Sequence, residues 1–303
     1  MRAPGPITRY DQRRGTQVKT SPTVVGLAIG IVVAATALAG ASPTQPAPPV
    51  RYASLGDSFS AAAGVLPLVD DAPLSCTRSQ RNYAHIVAER RGYALNDVSC
   101  AGAETVDLYQ EQEPGIPPQL TALDEDTDIV TLTLGGNDHG VFGTAATECT
   151  RAMIELPHDS SPCRARFGSN FVESIQTVTY PDLVRALADI HTAAPNARVI
   201  IAGYLWLVPE SGPCFPQIPV AAGDVAYLRE IQAVLNDAVE RAANATGSIY
   251  ADMSFTSEGR DACQPRERRL SEPVLLPTQF MALHPNSEGQ QAIAEEVLKA
   301  IDR

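Results

Sequence analysis

Lysine is almost absent from this sequence. Only Lys19 and Lys299 occur among 303 residues, and acidic residues outnumber lysine and arginine by 35 to 23, so the formal net charge is −12. Nucleic acids and anionic membrane surfaces are poor partners for a chain of this charge. No segment recurs with a period of about 20 to 50 residues, which argues against a repeat array and favours one domain with its own core.

The first 41 residues have the composition of an export signal. Five basic residues precede an uncharged run at 24–41, which ends in Ala39-Gly40-Ala41, and this order is typical of a signal peptide with a long basic start. The sequence therefore predicts a secreted protein. The uncharged run has 18 residues, just long enough to span a bilayer, so the alternative is an uncleaved anchor that tethers the protein to the cell membrane.

Residues 42–49 predict a linker between this signal and a folded domain. They contain four prolines and no charge, a composition typical of an extended tether. The domain is expected to span residues 50–303. Without residues 1–41 the chain has 18 basic residues against 34 acidic ones, and its net charge falls to −16.

None of the six cysteines stands in C-x-x-C spacing, the usual sign of a metal or redox site. An even number of cysteines in an exported chain indicates disulfide bonds instead, and no metal site is expected. We expect sequential pairing, because each pair then closes one loop between sheet elements, at about 3 kcal/mol apiece. The cysteines are Cys76, Cys100, Cys149, Cys163, Cys214 and Cys263.

Apolar runs alternate along the chain with segments of helical periodicity. This alternation predicts an α/β fold, with a parallel sheet covered by helices on both faces. The expected strands lie at 50–55, 93–98, 129–134, 198–204 and 248–253. The expected helices lie at 82–91, 180–194, 222–243 and 287–302, with Asn286 as an N-cap of the last. Three long stretches, 139–170, 206–221 and 254–285, are expected to be irregular and to form functional rims or lids.

Three short segments carry residues that could perform chemistry. Gly56-Asp57-Ser58 and Gly135-Gly136-Asn137-Asp138 each follow an expected strand, and His284-Pro285 precedes the last expected helix. Open α/β sheets build their sites at such strand ends. A serine, an amide and an imidazole brought together there would suit a serine hydrolase.

In this order, and with Gly102 in Cys100-Ala101-Gly102-Ala103, the segments resemble the sequence blocks of the SGNH (GDSL-type) hydrolase superfamily. The resemblance runs from about Arg51 to the C-terminus, and the nearest group is its secreted, disulfide-bonded esterase and lipase branch. It implies a three-layer α/β/α sandwich with a central, mostly five-stranded parallel sheet of the flavodoxin-like kind. The chain departs from the family pattern at Met281, where an acid usually stands three residues before the histidine.

The resemblance also implies a role for each residue. Ser58 would be the nucleophile and His284 the base, because a serine hydroxyl attacks poorly until an imidazole accepts its proton. The oxyanion would be met by the backbone N–H groups of Ser58 and Gly102 and by the side-chain amide of Asn137, each worth about 3 kcal/mol in the transition state. With no acid at Met281, we expect the backbone carbonyl of Met281 to orient the imidazole.

Other polar residues near these segments receive structural interpretations. Asp57 and Asp138 are expected to hold their turns by accepting backbone N–H groups rather than to take part in chemistry. His139 could reach the mouth of the site. Tyr204 and Trp206 either line an acyl pocket or pack in the core.

These observations predict a secreted carboxylic ester hydrolase that acts on a small-molecule or lipid ester through a Ser-His dyad. Apolar loop segments at 66–69, 206–209 and 273–283 favour an acyl chain near the serine. No cofactor is implied, and we expect a monomer. Three alternatives stay open: a carbohydrate deacetylase of the same superfamily, a metallophosphoesterase, and a non-catalytic binding protein on the same fold.

Overall fold

A computed structural model describes residues 48–303. The predicted export signal at 1–41 and most of the predicted linker at 42–49 lie outside the described residues. Five strands form one sheet in the order β2-β1-β3-β4-β5, and every neighbouring pair is parallel. The strands are β1 Arg51–Ser54, β2 Ala94–Asp97, β3 Ile129–Leu132, β4 Arg198–Ala202 and β5 Ile249–Ala251. The predicted α/β fold and all five predicted strands are confirmed.

Helices connect the strands and flank the sheet. They are α1 Ser58–Ala61, α2 Tyr83–Arg91, α3 Val141–Glu155, α4 Pro162–Phe167, α5 Asn170–Ser174, α6 Tyr180–Ala193, α7 Ala222–Thr246, α8 Ser254–Ser257 and α9 Ser287–Ile301. A π-helical turn at Ile175–Thr179 joins α5 to α6. The side chain of Asn286 accepts a hydrogen bond from Gly289 N at 2.9 Å, so the predicted N-cap of α9 is present.

The sheet has an apolar core on each face. Alternate side chains of a strand point to opposite faces, so Val199 and Ile201 of β4 pack in one core and Ile200 in the other. Helices α3, α6 and α7 cover the first face, and α2 and α9 cover the second. The result is the expected three-layer α/β/α sandwich.

The prediction that residues 139–170 are irregular was wrong, because most of this stretch forms α3 and α4. The apolar stripe of α3 consists of Val141, Ala145, Cys149 and Ala152, all buried. This spacing is helical. Gly143 and three threonines stand between these positions, and their poor helix propensity hides the pattern.

Three disulfides join segments outside the strands. Cys76 bonds to Cys100, Cys149 to Cys163, and Cys214 to Cys263. This is the sequential pairing expected from the sequence. Across residues 48–303 the structure contains no helix long and apolar enough to cross a membrane.

Candidate active site

The candidate residues gather at the carboxyl ends of the three strands β2, β1 and β3. Ser58 follows β1, Gly102 follows β2, and Asn137 follows β3. In the sheet, β2 lies on one side of β1 and β3 lies on the other, so the order of strands reverses at β1. Such a reversal of strand order opens a crevice at the sheet edge, where α/β proteins bind ligands.

The turn after β1 requires glycine at position 56. Gly56 has φ +107°, and a Cβ there would lie 2.2 Å from the carbonyl oxygen of Thr133. The close approach of backbone to β3 leaves no space for a side chain. The Asp57 side chain then accepts from Phe59 N at 2.9 Å and caps the short helix α1, which begins at Ser58.

Ser58 and His284 form a hydrogen-bonded pair. His284 Nε2 lies 2.7 Å from Ser58 Oγ, and His284 Nδ1 lies 2.6 Å from the backbone carbonyl oxygen of Ala282. Because a carbonyl oxygen only accepts, Nδ1 must carry the proton, and in the neutral ring Nε2 is then the acceptor. The geometry therefore selects the tautomer in which Ser58 donates its proton to His284.

The expected carbonyl at Met281 was the wrong one, because Ala282 provides it. Leu283, between Ala282 and His284, has φ +58°, a left-handed conformation that is uncommon for residues other than glycine. This turn lets the ring of His284 meet the carbonyl of Ala282, two residues earlier. The carbonyl oxygen of Met281 instead accepts from Gln279 Nε2 at 3.1 Å.

Burial favours the neutral form of His284. Desolvation lowers the pKa of His284 below its usual value of 6.5, and the hydrogen bond to the Ala282 carbonyl offsets part of this effect. Desolvation penalises the imidazolium. The ring therefore stays neutral, and able to accept a proton, to a lower pH than an exposed histidine.

The three residues expected to supply oxyanion donors, Ser58, Gly102 and Asn137, each follow a strand of the sheet. Within residues 48–303, the backbone N–H groups of Ser58 and Gly102 donate to no protein acceptor. Asn137 Nδ2 donates to the carbonyl oxygen of Ala103 at 3.1 Å. An amide nitrogen has two hydrogens, so this bond orients the side chain and leaves the second hydrogen available.

A buried tyrosine links the turn of Ser58 to the turn of Asn137. Tyr204 Oη donates to Asp57 Oδ2 at 2.5 Å and accepts from Gly136 N at 2.8 Å. Thr133 Oγ1 donates to Asp57 Oδ1 at 2.7 Å. Burial raises the pKa of the Asp57 carboxyl to about 6, although these hydrogen bonds oppose the effect. Asp57 thus has the structural contacts that were expected of it.

Asp138 makes similar structural contacts between the second and third turns. It accepts from both the backbone N and the Oγ1 of Thr105, each at 2.8 Å, and burial raises the pKa of its carboxyl to about 6. His139 does not line the site. Its ring faces Asp182, with 3.3 Å between Nε2 and Oδ2.

An apolar cavity of about 250 Å³ adjoins Ser58. Its lining includes Phe142, Ala146, Leu207, Leu235 and Leu283, together with Tyr204 and His284. Trp206 is not part of this lining. The guanidinium carbon of Arg229 lies 3.5 Å from the centre of the Trp206 ring, and Trp206 Nε1 donates to the carbonyl oxygen of Ser254. Of the two interpretations given for Trp206, packing is the one the structure supports.

Sequence reasoning missed the contributions of α3 and of Ala282. Gly143, Ala146 and Thr147 of α3 line the cavity, and the apolar spacing of α3 was a signal that could have located them. Ala282 has no such signal, because every residue carries a carbonyl. Among residues 48–303, no group of three or more His, Cys, Asp or Glu side chains could hold a metal ion.

The chain is similar to known proteins over most of its length. The model of the GDSL-like lipase/acylhydrolase family matches residues 54–292. Lipase 2 of Streptomyces coelicolor is 44% identical over 290 residues, which are 95% of this chain and 97% of that protein. A lipase of Streptomyces rimosus is 29% identical, covering 86% of this chain and 91% of that one.

Two solved structures are similar to the fold. The extracellular lipase of Streptomyces rimosus matches with a TM-score of 0.70 and 26% identity, covering 83% of this chain and 99% of that chain. Phospholipase A1 of Streptomyces albidoflavus also has a TM-score of 0.70, at 23% identity, covering 84% of this chain and all of that one. The family match and the close relative together identify this chain as a member of the GDSL-like lipase/acylhydrolase family.

Proposed function

We propose that this protein hydrolyses carboxylic esters through an acyl-enzyme on Ser58, with His284 as base and no carboxylate behind it. The observation that carries the proposal is the 2.7 Å contact between Ser58 Oγ and His284 Nε2. Family membership supports an ester hydrolase in general. The roles of the individual residues are our inference from their geometry.

The first half of the reaction forms the acyl-enzyme. Ser58 Oγ attacks the ester carbonyl carbon while its proton passes to His284 Nε2. The negative charge on the carbonyl oxygen is met by the N–H groups of Ser58 and Gly102 and by the Asn137 amide, each worth about 3 kcal/mol. His284 then gives the proton to the departing alkoxide, and the alcohol leaves.

The second half releases the acid. Water takes the place of the alcohol, gives a proton to His284 Nε2 and attacks the acyl carbon. The same donors meet the second oxyanion, and Ser58 regains its proton as the acid departs. Throughout, Nδ1–H stays directed at the Ala282 carbonyl, which fixes the ring but stabilises the imidazolium less than a carboxylate would.

We propose that the cavity receives the acyl chain. Its walls are largely apolar, with Phe142, Leu207 and Leu283 among the lining side chains. An acyl chain gains from the burial of apolar surface, whereas the hydroxyls of a sugar would lose water there without finding partners. The lipase names of the relatives support the same substrate class.

We further propose that the catalytic domain, residues 50–303, is secreted, with residues 1–41 as signal peptide and 42–49 as linker. Three disulfides are typical of an oxidising compartment, and all six cysteines are paired in the structure. The related lipase of Streptomyces rimosus is described as extracellular.

Hydrolysis of p-nitrophenyl esters from acetate to palmitate tests the mechanism. We expect Ser58→Ala and His284→Ala each to lower kcat/KM by about 10³-fold or more, because each removes a partner of the proton transfer. Ser160→Ala and His158→Ala, both at exposed positions, serve as matched controls and should leave kcat/KM unchanged.

The outcome also separates the alternatives. An optimum above acetate supports an acyl esterase, and activity confined to acetyl groups on glycans would indicate a deacetylase. Turnover that disappears with EDTA and returns with metal would indicate a metalloenzyme. If no ester is hydrolysed and a serine-directed phosphonate fails to label Ser58, the protein binds without catalysis and the proposal is wrong.

A further inference from the structure

Three loop segments near the site carry no charge. Residues 59–69, 212–223 and 273–283 contain no Asp, Glu, Lys, Arg or His, although 19% of the chain is Asp, Glu, Lys or Arg. Surface loops of an acidic protein are ordinarily polar and charged. Burial explains the lack of charge at residues 59–65, which are all buried, but not at the exposed residues of the three segments.

The three segments are neighbours in space. A Cβ on Gly64 would lie 2.9 Å from the Cβ of Met281, so the first segment packs against the third. Leu66 and Phe280 line one open groove. Leu275 N donates to the carbonyl oxygen of Gln217 at 3.0 Å, which joins the third segment to the second. The exposed side chains of Arg266 and Glu288 line the same groove, so the uncharged surface is limited to the three segments themselves.

Large apolar side chains stand exposed on this surface. We name as the apolar rim the five residues Leu66, Phe215, Leu275, Leu276 and Phe280, whose exposed fractions are 60%, 64%, 46%, 89% and 54%. Contiguous exposed apolar groups of this size mark interaction sites.

One residue of the rim, Leu276, has a backbone conformation that is unfavourable for leucine. Leu276 has φ +59°, a left-handed conformation in which a leucine is disfavoured. Its side chain is also the most exposed of the rim. Such a conformation persists where the surroundings determine it, and it is typical of functional segments.

The rim and the reaction centre share the same segments. The first segment lines the cavity at Phe59, and the third lines it at Ala282 and Leu283. Both then continue outward, to Leu66 and Phe280. Ala282 also orients His284 through its carbonyl. A surface bound to the rim would therefore contact the same two segments that line the cavity.

We propose that the apolar rim docks the enzyme onto the surface of a lipid aggregate that carries no net charge, such as a zwitterionic bilayer or a neutral emulsion. The proposal rests on the proposed function, because an acyl ester in such an aggregate would enter the adjoining cavity. The uncharged rim matches an uncharged surface. The domain around it, with a net charge of −16 without residues 1–41, would be repelled by an anionic surface.

Vesicle sedimentation tests the docking without any hydrolysis. The starting protein is Ser58→Ala, the probe is large unilamellar vesicles of phosphatidylcholine, and the rim variant adds Leu276→Ser and Phe280→Ser. We expect the rim variant to lower the partition coefficient by about tenfold or more, because each buried methylene favours membrane partition. Ile154→Ser is the matched control, since Ile154 is 68% exposed at the far end of α3 and should bind normally.

Enzyme assays separate failure of the docking from failure of the function. With Ser58 intact, the rim variant should hydrolyse dissolved p-nitrophenyl acetate at the normal rate and an emulsified long-chain ester at a rate lower by about tenfold. Failure of the unmodified enzyme to hydrolyse either ester would overturn the proposed function. Normal hydrolysis of the emulsion by the rim variant would overturn only the docking.

The same vesicle experiment distinguishes other binding partners of the apolar rim. The proposal is wrong if the Ser58→Ala protein does not bind phosphatidylcholine vesicles or binds only vesicles of anionic lipid. It is also wrong if binding is equal with and without the rim substitutions. A dimer that dissociates when Leu276→Ser and Phe280→Ser are introduced would assign the rim to a second copy of this chain instead.

Discussion

At the scale of single residues, the proposed base, His284, is oriented by a neutral group. His284 donates from Nδ1 to the carbonyl oxygen of Ala282 at 2.6 Å, and the position of the family's acid is occupied by Met281. A carboxylate beside an imidazole raises its pKa, whereas burial lowers it. With a carbonyl as partner, burial decides the direction, and the pKa of His284 lies below 6.5.

The pH dependence of the enzyme follows from this shift. The dyad works only while His284 is neutral, so kcat/KM should stay high as pH falls to 6.5 and be lost as pH passes through the lowered pKa of His284. Measured with a p-nitrophenyl ester, the acid limb of kcat/KM should therefore have its midpoint below 6.5.

Burial also raises the pKa of the Asp57 and Asp138 carboxyls to about 6, so the acid limb alone does not identify the group that titrates. An NMR titration of the His284 ring, assigned by comparison with His284→Ala, separates His284 from the two carboxyls. A His284 midpoint above 6.5 would contradict the expected direction and would mean that a negative group supports the imidazolium.

At the scale of elements, α3 forms one wall of the cavity. Its N-terminal half contributes Phe142, Gly143, Ala146 and Thr147 to the lining, and its buried stripe packs into the core. Two of these four residues have small side chains. Their small size leaves part of the space that forms the cavity.

A larger side chain on this part of α3 should shorten the acyl chain that the enzyme prefers. Ala146→Phe places a ring in a cavity of about 250 Å³, where apolar contacts determine which acyl group fits. We expect kcat/KM on long-chain p-nitrophenyl esters to fall by about tenfold or more, with a much smaller change on acetate.

Ile154→Phe, on the same helix but away from the cavity, is the control and should keep the original chain-length profile. An Ala146→Phe enzyme whose losses are equal on acetate and on long chains would show that α3 does not limit chain length.

At the scale of the whole molecule, disulfides hold the loops around a sheet with short strands. Cys214–Cys263 spans 49 residues, and Cys149–Cys163 spans 14. The longer bridge joins two segments that were expected to be irregular and that are largely without helix or strand. One of them carries Phe215 of the apolar rim.

Removing the longer bridge should therefore destabilise the protein more. Loop-closure entropy assigns about 4 kcal/mol to Cys214–Cys263 and about 3 kcal/mol to Cys149–Cys163. At about 2–4 °C per kcal/mol for a domain of this size, the double variant Cys214→Ala/Cys263→Ala should show the larger fall in Tm.

The matched comparison is the double variant Cys149→Ala/Cys163→Ala, measured by circular dichroism under the same conditions. A larger fall in the second variant would show that the packing of α3 against α4, rather than loop closure, sets the contribution of a disulfide here.

The sequence by itself determined the strands, four long helices and the residues of the dyad. Each strand is an apolar run of high β propensity, and hydrophobic periodicity is a local property that can be read without the fold. The residues of the dyad were expected from the resemblance of three short segments to the SGNH sequence blocks. The block at Ser58 is local in the chain, because its turn needs glycine at position 56 and has a capping aspartate at position 57. The catalytic roles of these residues stay predictions until the variants are assayed.

Only the tertiary structure decided how these parts meet. Ser58 and His284 are 226 residues apart and share a 2.7 Å contact, and the choice of Ala282 over Met281 depends on one left-handed residue, Leu283. The cavity wall of α3 and the apolar rim likewise join segments that are distant in the chain. Propensity and periodicity act over a few residues, whereas a site is made by contacts through space, and packing alone sets those.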